Sequence, residues 1–332
     1  MSTMPMLPWR QVAEGMLPAA RPRPLLQPDD AARLIALARG LRMAQPTRPV
    51  PRQTSGEAMS VWKGRGLDYA ESRAYQPGDD LRDLHWRLLA RTGRPYVKLH
   101  HEEQATALHL LLDLRPGMAF GTRGRTKAEQ AARMALLAAS AYALAAEGAS
   151  GPMTLSVWRD TVHDVALGRG QKALQRLALR LQAELVVPPR PMGRRQPADG
   201  GFEAWAQVLL RSLPEGSRVL MASDGAGWES PECDAALWSL CSRAEVLLLE
   251  VRDPVETVLP RRAVLEAADF VDLAHHQSGR LQGAAGSQFA ERAARHHEAR
   301  LARWRSRGLR CVAAGVSESD HAVLQRLRAL EA

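Results

Sequence analysis

The sequence predicts an α/β protein, a doubly wound and mainly parallel sheet preceded by a small N-terminal β-rich appendage. Three observations predict it. From residue 106 onward, short fully apolar runs alternate with helical patterns, as parallel strands covered on both faces do. Asp113, Asp224 and Asp253 close three of these runs, at the carboxyl ends where open α/β sheets place their ligands. Residues 60–104 differ in kind, with turn residues, alternating charges and aromatics in short segments.

Residues 1–59 read as a Pro-rich N-terminal segment with one helix. Pro18, Pro22, Pro24 and Pro28 prevent any long helix before residue 28. Asp29 or Asp30 then caps a helix to about Met43, with Leu34, Leu37, Ala38 and Leu41 on one face. Pro46, Pro49 and Pro51 break the chain again. In residues 60–104, Gln76-Pro77-Gly78-Asp79 signals a turn and Tyr96 to Leu99 a strand.

Residues 105–332 carry the α/β domain. Leu108 to Leu112 is a strand. Thr126-Lys127-Ala128-Glu129 is a capping box that opens a helix to about Glu147. Strands are expected at 153–158, 161–167, 218–222, 245–251 and 309–314. Helices are expected at 171–184, 202–213, 231–243, 286–307 and 319–330.

Composition excludes several classes. The 332 residues are 45% hydrophobic and 24% charged, ordinary globular values. The net charge of +9 is nearly all arginine, since lysine occurs only at Lys63, Lys98, Lys127 and Lys172. The excess basic charge lies toward the two ends, and residues 106–260 balance at 17 basic and 17 acidic. No element concentrates basic residues with aromatics between them, so no nucleic-acid partner is expected. The longest apolar run, Met134 to Ala146, is too short to span a bilayer. Cys233, Cys241 and Cys311 have no zinc or redox spacing. Cys233 and Cys241 read as core residues. With an N-terminus lacking signal-peptide features, these point to a cytoplasmic protein with no membrane span.

The candidate chemistry is narrow. Carboxylates at strand ends are what an oxygen-liganded Mg²⁺ needs, which makes a Mg-dependent hydrolase using Asp113 and Asp224 the alternative function. A phosphatase nucleophile pair would need a second Asp where Arg115 stands. Gly121 to Lys127 is Gly-rich and basic but has the wrong spacing for a phosphate loop, and reads as a turn plus helix cap. His100-His101-Glu102-Glu103 suggests a metal site, but adjacent side chains on a strand point to opposite faces and the four cannot converge easily. His275-His276 and His296-His297 are likewise adjacent pairs and read as surface residues. No Ser or Cys sits in a nucleophile elbow.

The run from Gly64 to Arg87 is dense in turn residues, charges and aromatics. Trp86 is expected to fill the base of its turn. Arg73, Tyr75, Pro77, Gly78, Asp79, Asp80, Arg82, Trp86, Ala90 and Arg91 together resemble the signature of the bacterial domain-of-unknown-function-58 family. The likeness continues through Leu112-Asp113, Gly121 to Gly124, Ser223-Asp224 and Asp253-Pro254, and departs at Leu84-His85. The resemblance implies a von Willebrand factor A-like fold and a non-enzymatic role. That role is partner of a MoxR-type AAA+ ATPase in assembly or activation of an unidentified client protein, with no cofactor. The signature residues are then the partner-binding or structural surface.

Von Willebrand A domains hold a metal with Asp-x-Ser-x-Ser, a later Thr and an Asp. Here Asp113 is followed by Leu114-Arg115-Pro116-Gly117, so both hydroxyls are missing and only Asp113 and Asp224 match. Two like charges at neighbouring strand ends would repel. Arg115 is therefore expected to bridge both carboxylates and replace the metal's charge.

Overall fold

The computed structural model describes residues 22–39, 67–76, 84–102, 106–122, 124–145, 151–186, 201–214, 216–257, 269–272, 277–280 and 285–331. In chain order the elements are β1 (Arg23–Pro24), α1 (Pro28–Ala38), β2 (Leu67–Ala74), α2 (Trp86–Thr92), β3 (Tyr96–Glu102), β4 (Leu108–Asp113), α3 (Lys127–Ala145), β5 (Pro152–Trp158) and β6 (Val162–Arg169). There follow α4 (Gly170–Ala183), β7 (Leu185–Val186), α5 (Phe202–Ser212), β8 (Arg218–Ser223), α6 (Pro231–Arg243), β9 (Glu245–Arg252), β10 (Asp269–Asp272), β11 (Gln277–Arg280), α7 (Ala285–Ser306), β12 (Arg310–Gly315) and α8 (Asp320–Glu331). Contacts divide the chain into two units, residues 51–105 and residues 1–50 with 106–332.

The larger unit is built on a six-stranded sheet in the order β12-β9-β8-β4-β5-β6. All neighbours are parallel except the edge pair β5–β6. The first strand in sequence, β4, thus lies between β5 and β8, and the strand order reverses there. This is the doubly wound arrangement that the alternating apolar runs predict.

Strand alternation divides the core in two. Leu108, Leu110, Leu112, Leu220, Ala222, Leu247 and Leu249 face a layer formed with α1, α3, α4 and α8. Leu111, Val219, Met221, Val246 and Leu248 face the other layer, with Phe202, Trp205, Leu237, Leu240 and Trp304. Helix α3 is small-residue rich, and Ala131, Ala132, Ala135, Ala138 and Ala139 let it lie close to the sheet. The expected capping box forms, with the Glu129 carboxylate accepting from Thr126 N–H at 2.6 Å and Thr126 Oγ1 from Glu129 N–H at 3.2 Å.

Helix α1 differs from expectation in two ways. Asp29 and Asp30 stand in its first turn, and Gln27 occupies the cap position without a side-chain bond. The helix also belongs to the α/β unit rather than to a segment of its own. Leu34 and Ala38 are buried in the core. Arg133 of α3 is held between Asp30, at 3.0 Å, and Asp320 of α8, at 2.6 Å.

In the smaller unit, β2 and β3 pair antiparallel with an irregularity between Tyr69 and Glu71. Buried Leu84 bridges buried Val97. Helix α2 was not expected from the sequence. His85 makes it possible, its Nδ1 accepting from Leu88 N–H at 3.1 Å as a helix cap. Gly93, at φ +68°, ends the helix by donating its N–H to Leu89 O. The β10–β11 hairpin and the short β1–β7 pair were also unexpected.

Leu34→Ala should lower unfolding free energy by about 2–5 kcal/mol, the cost of emptying a packed leucine site. A loss of less than about 0.5 kcal/mol in urea denaturation would show that α1 is not part of the core.

Candidate functional site at the carboxyl edge of the sheet

Asp113 ends β4 and is fully buried. Arg115, two residues later, folds back onto it. Its main-chain N–H donates to Oδ1 at 3.0 Å, Nε to Oδ1 at 3.0 Å, and Nη2 to Oδ2 at 2.7 Å. Ser223, the last residue of β8, adds its hydroxyl to Oδ2 at 2.7 Å. The guanidinium also donates to Ala226 O at 3.0 Å and lies 3.9 Å over the Trp158 ring. A charge-assisted fork on one side and an aromatic face on the other fix its position. Burial opposes the Arg115 charge, but Asp113 outweighs it and its pKa rises. A quarter of the side chain remains exposed, at 25%.

Asp224 follows β8 across the switch point. Its Oδ2 accepts from Lys127 Nζ at 2.6 Å and its Oδ1 from Ala226 N–H at 2.9 Å. Lys127 is buried and is the first residue of α3. The same ammonium donates to Glu256 Oε1 at 2.5 Å. Glu256 Oε2 accepts from Asp253 N–H at 2.9 Å, while Asp253 accepts from Val255 N–H at 3.0 Å. This pair is a capping box over the short turn 254–256. Asp253 also receives Thr122 through its N–H, at 2.6 Å, and its hydroxyl, at 2.5 Å. The loop after β4 is tied in this way to the loop after β9. Gly121 lets the chain close back on Arg125 and Thr126, because a β-carbon there would lie 2.1 Å from Arg125 O.

Burial pushes the Lys127 pKa down. Asp224 and Glu256 outweigh it and hold the pKa above its ordinary 10.5. Burial likewise pushes Asp224 up, and the Lys127 charge and hydrogen bond reverse this, leaving it below 3.8.

The expected bridge from Arg115 to both carboxylates does not form. The hydrogen bonds of Arg115 reach Asp113 and not Asp224, and a second cation, Lys127, serves the second carboxylate. Lys127 was missed because it stands inside the 126–129 capping sequence, which accounts for it locally, and Glu256 because nothing in its local pattern marks it. Only the long-range return of the 121–127 loop to the strand ends reveals the other role. Asp253 does cap its turn, as its following proline indicates.

The remaining candidates are dispersed. Pro77, Gly78, Asp79, Asp80 and Arg82 lie outside the described residues. Arg73 stands opposite Val97 in the β2–β3 register. Tyr75 is half-buried, its N–H donating to Pro95 O at 3.0 Å. Trp86 does not fill the base of a turn: it is 64% exposed on α2, and Arg91 is exposed on the same helix. His296 is exposed, but His297 is largely buried with Nδ1 3.4 Å from Glu250 Oε1, and burial pushes its pKa down to about 4. His275 and His276 lie outside the described residues. Burial pushes the thiols of Cys233, Cys241 and Cys311 up to about 12, as for inert packed cysteines.

The metal that the von Willebrand A resemblance implies does not fit this donor set. Ser223, Arg115 and Lys127 take the carboxylate oxygens a cation would use, and a divalent ion would stand beside two positive groups. Among the described residues no group of three His, Cys, Asp or Glu is placed to hold a metal.

The fold and this edge define a doubly wound α/β domain whose strand-end acids are matched by internal donors. The chain belongs to the family described as "protein of unknown function DUF58", whose model matches residues 71–299. Uncharacterized proteins of Mycobacterium bovis and of two Mycobacterium tuberculosis strains are each 28% identical over 208 residues. The match covers 62% of this chain and 61% of each relative, so the chain spans less than two thirds of their length. The solved structure of the conserved hypothetical protein BatB from Bacteroides thetaiotaomicron aligns with 68% of this chain and 98% of its own, at 13% identity and a TM-score of 0.37.

Lys127→Met should cost about 3–5 kcal/mol, because it leaves Asp224 buried and unpaired. Adding Asp224→Asn should restore part of that loss in chemical denaturation. If the double variant is no more stable than the single, the pair is not coupled.

The same pair sets an acid limb. Asp224 is held below its unfolded value of 3.8, so its contribution is full above that pH and is lost as pH falls through the folded value. Lys127, held above 10.5, contributes fully at any lower pH. Stability measured from pH 6 to pH 2 should fall less steeply in Asp224→Asn than in the native protein. Equal slopes would contradict the assignment.

Proposed function

We propose that the protein is a non-enzymatic interaction module, a partner of a MoxR-type AAA+ ATPase that acts on another protein. The observation that carries this reading is the engagement of Asp113 and Asp224 by Arg115, Ser223 and Lys127. A general base or nucleophile needs a carboxylate free to meet substrate, and both acids are committed to internal donors. The antiparallel third strand in the order 3-2-1-4-5-6 supports reading the larger unit as von Willebrand A-like. A β-carbon at Gly117 would lie 3.9 Å from Asp224 Oδ2, where such a domain would carry a hydroxyl. The exposed Trp86 and Arg91 on α2 supply an aromatic and a charged contact of the kind that dominates protein interfaces.

The purified chain should retain a MoxR-type ATPase from the same genome in a pull-down, and Trp86→Ala should weaken retention about tenfold or more, as loss of an interface anchor does. It should turn over no phosphoester or carboxylic ester in the presence of Mg²⁺. Turnover abolished by Asp113→Asn would establish the hydrolase instead. Failure to retain the ATPase would remove the partnership.

A further inference from the structure

Helices α6 and α7 of the larger unit enclose a shallow groove lined by Pro231, Asp234, Ala235, Trp238, Arg303 and Arg307. Two features are unusual for an ordinary surface. Trp238 is 56% exposed, although indole is among the most rewarding side chains to bury. Beside it, two guanidiniums are held by a single carboxylate, with Arg303 Nε 3.0 Å from Asp234 Oδ1 and Arg307 Nη2 2.7 Å from Oδ2. Asp234 is itself buried, while Arg303 and Arg307 remain 42% and 41% exposed.

The arrangement is preorganised and electrostatically incomplete. Asp234 fixes both arginines and neutralises one. Arg303 also gives Nη1 to Glu229 O at 3.4 Å. Its Nη2, and the Nε and Nη1 of Arg307, carry no hydrogen bond among the described residues, so planar donors remain for an incoming carboxylate. Residues 290–308 of α7 and its end hold six arginines against Glu291 and Glu298; Arg300 is paired with Glu250 and Glu229, and Arg303 and Arg307 line the groove. Of the acids beside Pro231, Glu229 is partly exposed and shared with Arg300, and Glu232 is exposed.

We infer that the α6–α7 groove is a docking site for an acidic peptide segment of a partner protein, with an apolar side chain on Trp238 and carboxylates on Arg303 and Arg307. Charge complementarity selects this occupant, because a basic or neutral segment would leave the two arginines desolvated and half-paired. The site lies apart from the strand-end acids and does not depend on the ATPase reading.

The test is selection of a random 12-residue peptide library on the immobilised full chain. Enriched sequences should be acidic, with at least one large aliphatic or aromatic residue. Their affinity by fluorescence anisotropy should fall about tenfold or more on Trp238→Ala, and separately on Arg307→Glu, as expected for loss of an interface anchor. It should also weaken as salt rises. Both substitutions are at exposed positions, and unchanged circular dichroism and urea midpoints would confirm intact folds. Enrichment of basic or neutral peptides, affinities unmoved by either substitution, no enrichment at all, or preferential binding of a single-stranded oligonucleotide or anionic lipid vesicles would each overturn the inference.

Discussion

The ammonium of Lys127 is the constraint on which the carboxyl edge depends. A lysine at the first position of a 19-residue helix faces the positive end of the helix dipole and is disfavoured there. Complete burial adds a desolvation penalty. Both are overcome because Asp224 and Glu256 approach to 2.6 and 2.5 Å. The three groups stabilise one another only in this geometry, so the loops after β4, β8 and β9 are positioned together. Thr122 and Asp253 repeat the tie a few residues away with neutral donors.

The crevice above a strand-order reversal is the usual ligand position in such sheets, often with a helix N-terminus supplying N–H groups to an anion. Here the protein fills that position with its own charges. Beneath it the filling is aromatic: Arg115 lies on Trp158, Trp158 on Phe202, Phe202 on Trp228, and Trp228 on Trp304. Gly225 sits against the last of these, where a β-carbon would lie 2.4 Å from the Trp304 ring. The loop bearing Asp224 is therefore fixed from above by an ion pair and from below by an indole.

Much of this was legible in the sequence, for identifiable reasons. Strands β4, β8 and β9 are apolar on both faces, so their runs stand out without any periodicity. Helix α6 was read at its observed limits, Pro231–Arg243, and Ser230 caps it by accepting from Cys233 N–H. Asp113 and Asp224 stood out because each ends such a strand. Helix α2 was hidden because its cap is a histidine, a residue outside the usual capping set, and because its seven residues carry no buried stripe. Lys127 and Glu256 were hidden because hydrogen bonds across 97 and 129 residues leave no trace in local spacing. The partner of Arg115 was half visible: a guanidinium two residues from a carboxylate reaches it easily, while its failure to reach a second depends on where Lys127 lies.

The antiparallel strand β6 has a consequence for recognition. It forms one edge of the sheet, where unpaired backbone groups invite another chain to add a strand. Its register slips against β5 between Met153 and Thr154, Gly168 turns the backbone to φ +93°, and His163 and Asp164 project polar side chains. A kinked, polar edge of this kind is a poor template for β-augmentation. Main-chain pairing, which would accept almost any extended sequence, is thereby disfavoured at this edge.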